Sequence, residues 1–169
     1  DYVAGVVAAS NMPVMLIPAI MFGVSAMLSF ATGTSWGTFG ILIPIIVSVC
    51  ETAAPELTVT ALSAILAGSV FGDHCSPISD TTIMSSTGAG CAHIDHVSTQ
   101  LPYSLTVASV CVVGYLVAGF SAGLGFGTSL LITDVISLLL LAVLLLALPK
   151  IWSGEKKAVQ KTPALAAQK

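Results

Sequence analysis

The chain has 169 residues, 56% of them hydrophobic and only 8% charged, with a formal net charge of −3. Soluble domains average about 25% charged residues, so the composition argues against a water-soluble monomer. Arginine is absent and every lysine lies at or beyond Lys150, which excludes a basic surface able to track a phosphate backbone.

No Asp, Glu, Lys, Arg or His occurs between Asp1 and Glu51, the expected state of a chain whose solvent is lipid. The chain opens on Asp1 without a basic leader, and Tyr2 to Phe30 is already membrane-like. It therefore reads as the C-terminal part of a longer polypeptide. Val14 to Phe30 is long enough for most of a span. Ala31 to Thr38 then reads ATGTSWGT, and Phe39 to Val49 is apolar for only about half a bilayer at 1.5 Å per residue. Whether Val14 to Val49 is a re-entrant hairpin or a broken span stays open at this point. An acidic, Pro-containing turn, Cys50 to Glu56, is expected on the external side.

The pattern then repeats: Leu57 to Phe71 is apolar, Gly72 to Thr82 reads GDHCSPISDTT, and a short piece follows to Gly90. Leu101 to Phe120 and Leu130 to Leu148 are uninterrupted spans, with Gly23, Gly114 and Gly119 as packing positions and Thr133-Asp134 near an outer-leaflet helix start. Pro149, Lys150 and Trp152 combine a helix stop, a snorkelling cation and an interfacial ring. Residues 1–152 thus form a transmembrane half and residues 153–169 a polar tail, disordered or weakly helical. The lysines place that tail in the cytoplasm of a multi-pass cell (inner) membrane protein, with Gly90 to Gln100 on the same side and Ser121 to Thr128 outside. The four cysteines have no framework spacing and are expected as small buried thiols.

The polar interruptions carry the chemistry. Pro77 removes a donor and biases Ser76 out of the helix, so the chain is expected to unwind there. Ser79 or Asp80 then caps a short helix over Thr81 to Thr87. The carbonyls of Ala67 to Phe71, followed by Gly72, end the helix before it. Two half-helix ends and the oxygens of Asp73, Ser76, Ser79, Asp80, Thr81 and Thr82 make a hard-oxygen environment for an alkali cation. Thr32, Thr34, Ser35 and Thr38 add oxygens from the first interruption, with Trp36 as a cavity wall. Two buried carboxylates with no Lys or Arg nearby need His74, a proton or a metal cation. One group that accepts either is the minimal physics of antiport. The plainer reading makes Asp80 a cap, pairs Asp73 outside this segment and leaves the Ser and Thr side chains to helix packing.

GTSWGT at Gly33 to Thr38, followed by GDHCSPISDTT at Gly72 to Thr82 and by TGAGCAHIDHVSTQLPY at Thr87 to Tyr103, resembles the C-terminal portion of NhaC-type sodium/proton antiporters from about Met12 to Phe120. The resemblance implies an all-α polytopic fold with two discontinuous or re-entrant segments, the second half of an inverted-repeat secondary transporter. It also implies Na⁺/H⁺ antiport, with Na⁺ at Asp73 and Asp80 and support from Ser76, Ser79, Thr81, Thr82, Thr34 and Ser35. His74, His93 and His96 are accessory or pH-sensing candidates. No cofactor is expected beyond the transported Na⁺ and H⁺. The expected partners are the bilayer and the N-terminal half of the same protein, with a homo-oligomer left open and nucleic acid excluded. The alternative cargo is an organic acid or amine exchanged by the same architecture with Na⁺ or H⁺ coupling.

Two other chemistries are weighed. Gly33 to Gly37 spells G-x-S-x-G, the elbow of a serine hydrolase, but it follows a membrane-helix pattern where that elbow needs a strand-to-helix turn. The chain is accordingly read as a non-enzyme, with an intramembrane serine hydrolase as the remote alternative. His74, Cys75, Cys91, His93, Asp95 and His96 lack the paired spacings of a zinc site, and His93 and His96 are expected in a solvated loop.

Overall fold

The computed structural model describes residues 13–160, with side chains placed over residues 13–147. Among the described residues the regular structure is entirely helical: α1 (Ile17–Thr32), α2 (Ser35–Ala53), α3 (Thr58–Cys75), α4 (Asp80–Ala89), α5 (His93–Ser121) and α6 (Phe126–Gln160), with 3₁₀ turns at Val14–Leu16, Pro55–Leu57 and Ala122–Leu124. Lipid offers backbone groups no hydrogen bonds, so apolar segments satisfy them within helices. Among the described residues five segments are long and apolar enough to cross a membrane, and α4, at ten residues, is the exception. The chain is an all-α, multi-pass membrane fold.

The first interruption is smaller than its sequence suggests. Only Gly33 and Thr34 lie between α1 and α2, and SWGT joins α2, which reaches 19 residues instead of half a bilayer. Ile17 shares a core cluster with Val49 and Cys50, residues at the far end of α2. The chain therefore folds back at Gly33, and Val14 to Val49 is a helical hairpin. Gly33 makes the reversal with φ +68°, a left-handed conformation that costs other residues roughly 1–2 kcal/mol. A Cβ there would also stand 2.9 Å from the carbonyl oxygen of Ile78. Gly33→Ala is expected to lower stability by about 2 kcal/mol, measured as a shift in the thermal melt of the purified protein.

α1 and α3 pack closest. Gly68 lies against the Phe22 carbonyl and Gly72 against that of Ala26, so the two helices run parallel and nearly in backbone contact. These glycines, four residues apart, form the small-x-x-x-small spacing that lets membrane helices approach. Gly72 lies inside α3, which continues to Cys75, so it does not end the helix after Phe71 as the sequence suggested. Gly23 faces open space, whereas Gly119 sits against the Met15 carbonyl and Gly114 against Ser137. Phe22 stacks on Phe71 at 6.1 Å and meets Tyr115 at 5.6 Å, joining α1, α3 and α5.

α5 returns antiparallel to α3, with Ser104 close to Cys75 near one end and Tyr115 close to Ser63 nearer the other. It begins at His93 and not at Leu101, so His93 and His96 belong to its first turns and not to a loop. Pro102 is accommodated inside it. α6 folds back along α5, tied by Ser121 and Ser129 hydroxyls 2.7 Å apart. It starts at Phe126, so Asp134 lies more than two turns inside it, and it runs past Pro149 to Gln160 where the sequence suggested a stop. Neighbouring groups re-satisfy a backbone freed by proline in a membrane helix. The tail beyond Gln160 lies outside the described residues. Cys50 and Cys75 are buried as expected, whereas Cys91 is exposed and Cys111 half-buried.

Candidate functional site

The second interruption does leave the helix. Ser76 and Ser79 both have extended backbone, and Pro77 and Ile78 lie between them. Ser79 caps α4 by accepting a hydrogen bond from the Thr81 amide at 3.2 Å, and α4 starts at Asp80. The opening is tied across by the Thr82 hydroxyl, donating to the His74 carbonyl at 3.4 Å.

Both interruptions arrive at one place. Because α1 and α3 run parallel, Gly33-Thr34 and the 76–79 loop lie at the same level, with Gly33 against Ile78. Two hydroxyl-to-carbonyl bonds hold the levels in register: Ser29 Oγ donates to the Ser69 carbonyl at 2.6 Å, and Ser76 Oγ to the Phe30 carbonyl at 2.8 Å. At the junction is Asp73, on the last turn of α3 and only 8% exposed. Ser35 Oγ donates to its Oδ2 at 3.0 Å and Ser79 Oγ to its Oδ1 at 2.6 Å. The Ser79 oxygen lies 2.8 Å from Thr81 Oγ1. With the Ser79 proton committed to Asp73, Thr81 is the donor in that pair, and the relay ends on an accepting carboxylate.

The helix ends explain why an acid is tolerated here. Ser35 opens α2 and Ser79 caps α4, so two helix N-termini point positive partial charge at Asp73. The C-terminal carbonyls of α1 and α3 supply the opposite sign close by. Hydroxyl hydrogens rotate, so the same oxygens either donate to the carboxylate or turn lone pairs toward a cation.

The remaining candidates fall outside this junction or support it indirectly. Thr34 caps α2 through a long 3.5 Å bond from the Gly37 amide. Thr38 is buried but bonds back to the Thr34 carbonyl, and Thr32 bonds within α1. Asp80 stands exposed on the first turn of α4, and no described hydrogen bond ties its side chain to Asp73. His74 is exposed and bonds its own helix at Val70. His96, half-buried, contributes no contact to the junction. Trp36 walls no cavity: it is 81% exposed and edge-packed on Phe39. His93 alone among the histidines reaches the interruption. Its Nε2 is 2.7 Å from the Pro77 carbonyl and its Nδ1 is 3.1 Å from Ser86 Oγ. Among the described residues no three His, Cys, Asp or Glu side chains gather as a metal-ion cluster. Sequence reasoning missed Ser29, Ser69 and the Gly68/Gly72 pair, although GSVFG carries the close-approach spacing in plain view.

A multi-pass helical membrane protein with a buried carboxylate at the meeting of two helix breaks is the class that fold and site define. The profile of the Na⁺/H⁺ antiporter family matches residues 1–120, and the chain belongs to that family. It is 59% identical over 111 residues to an uncharacterized protein of Haemophilus influenzae, covering 66% of this chain and 21% of that protein. It is 39% identical over 101 residues to an uncharacterized Na(+)/H(+) antiporter of the same organism (57% and 21%). It is 34% identical over 100 residues to the malate-2H(+)/Na(+)-lactate antiporter of Bacillus subtilis (59% and 21%). The chain spans about a fifth of the length of these curated relatives. No solved structure matches it.

Proposed function

We propose that this chain carries the ion site of a secondary active transporter that exchanges Na⁺ for H⁺, with Asp73 as the group occupied by either ion. The observation that carries this reading is the convergence of Ser35 and Ser79 on a buried carboxylate, with no Lys or Arg in the sequence before Lys150 to neutralise it. Low dielectric penalises the bare anion unless hydrogen bonds or a cation compensate it. Proton and Na⁺ therefore exclude one another at Asp73, and the loading of one drives release of the other. Thr81 supports Ser79, Ser76 and Thr82 hold the interruption open, and Thr34 shapes the hairpin tip. We place the protein as a multi-pass component of the cell membrane with its lysine-bearing tail in the cytoplasm.

A second reading is favoured by the two helix N-termini at one point, an arrangement suited to a substrate carboxylate. It makes the cargo an organic acid coupled to Na⁺ or H⁺, in line with what the Bacillus relative's name says of that relative.

Reconstitution of the full-length protein in vesicles with a pH gradient decides between them. Na⁺ alone is expected to release protons, and Ser79→Ala to raise the half-saturating Na⁺ concentration roughly tenfold through loss of a hydrogen bond to a charged group. Proton movement that requires added malate or lactate would establish the organic-acid reading in its place.

A further inference from the structure

A cavity of about 330 Å³ opens between α3, α5 and α6, and none of the Asp73, Ser35 and Ser79 cluster lines it. Its polar lining includes Asp134, Thr133 and Ser137 from α6, Thr60 and Ser63 from α3, and Tyr115 from α5. Asp134, exposed at the side of the cavity, lies roughly 12 Å along α6 from Phe126, inside a segment long and apolar enough to cross a membrane. An ionisable group at such depth is expensive and pairs with a counter-charge. No Lys or Arg occurs on α3 or α5, and the first on α6, Lys150, stands about 24 Å further along the axis. Beside it, the Thr133 hydroxyl is buried with no hydrogen-bond partner, an arrangement that costs free energy unless a ligand supplies one.

The size and wall chemistry of the cavity distinguish the cations it could hold. An alkali ion needs a tight cage of oxygens, and a space of about 330 Å³ is far larger than one such ion. Val110, Leu130 and Phe126 also line it, and they offer nothing to replace a hydration shell. An organic cation uses both kinds of wall.

We propose that the cavity binds a small alkylammonium ion, its ammonium group on Asp134 and donating to the Thr133 oxygen, its alkyl body against Val110, Leu130 and Phe126. The site is independent of the Asp73 junction. Titrating n-propylammonium into the purified full-length protein in lipid nanodiscs, in potassium buffer, is expected to give saturable heat. Asp134→Asn should weaken binding at least tenfold. Ser137→Leu, which fills the cavity from the wall facing Gly114, should abolish it, so the result does not hang on one variant's folding. Asp73→Asn should bind as the parent does, which separates this site from the proposed exchange site. Absence of saturable binding, an unchanged affinity in both Asp134→Asn and Ser137→Leu, loss of binding in Asp73→Asn, or full displacement by an equal concentration of Na⁺ would each overturn the proposal.

Discussion

Asp73→Asn is expected to reduce exchange by roughly 100-fold while leaving the protein folded and inserted in the membrane. The substitution keeps the side chain's shape and one acceptor oxygen, so either Ser35 or Ser79 still donates to it, and the other hydroxyl turns its proton away and accepts from the new amide N–H. What disappears is the charge. Hydrogen bonds and contacts to a charged group are worth about 1.5–3 kcal/mol each, and each ~1.4 kcal/mol is a factor of ten in affinity. A neutral amide cannot take up a proton in exchange for a cation, so maximal rate as well as affinity should fall. Proton release from vesicles on a Na⁺ pulse measures this, with the amount of inserted protein as the control. Asp80→Asn, at an exposed position on α4, is expected to cost less than Asp73→Asn; equal loss in both would make Asp80 a partner in the site.

Gly72→Val should damage the fold itself. A Cβ at Gly72 meets the Ala26 carbonyl, which is backbone and has no rotamer to retreat into. Separating α1 from α3 would stretch the Ser29–Ser69 and Ser76–Phe30 bonds that keep the two interruptions level. Overpacking of this kind costs about 1–3 kcal/mol, and the staples break with it, so the upper end of that range is expected. Gly23→Val, where nothing lies within 4 Å, is the matched control and should melt near the parent temperature. The thermal melts of both variants in detergent, with the parent alongside, check this. Equal melting of the two would show that the α1–α3 contact is looser than its geometry.

Much of the site was legible before any fold was known. Gly72 to Thr82 places two acids, two serines, two threonines and a proline within a span otherwise free of charge, and lipid makes such a segment costly unless it is organised. Its unwinding, the Ser79 cap and the short following helix all follow from local chemistry. Helix limits were read less well. Gly72 looks like a terminator because glycine often is one, but its role is set by a neighbouring helix. Pro149 looks like a stop because in water it is one. Phe39 to Val49 looks too short because SWGT reads as a break, although Thr34 caps the helix and the residues after it are already helical.

The sequence by itself determined the solvent, the helical class and the two polar segments, since each depends on composition or on spacing within a few residues. Only the tertiary structure decided that Asp73 and not Asp80 receives the hydroxyls of both interruptions, because that depends on residues 38 apart, Ser35 and Asp73, being brought to one level. That level is set by how closely two parallel helices approach at Gly68 and Gly72. Such an approach is a property of two surfaces in contact, and neither segment encodes it alone.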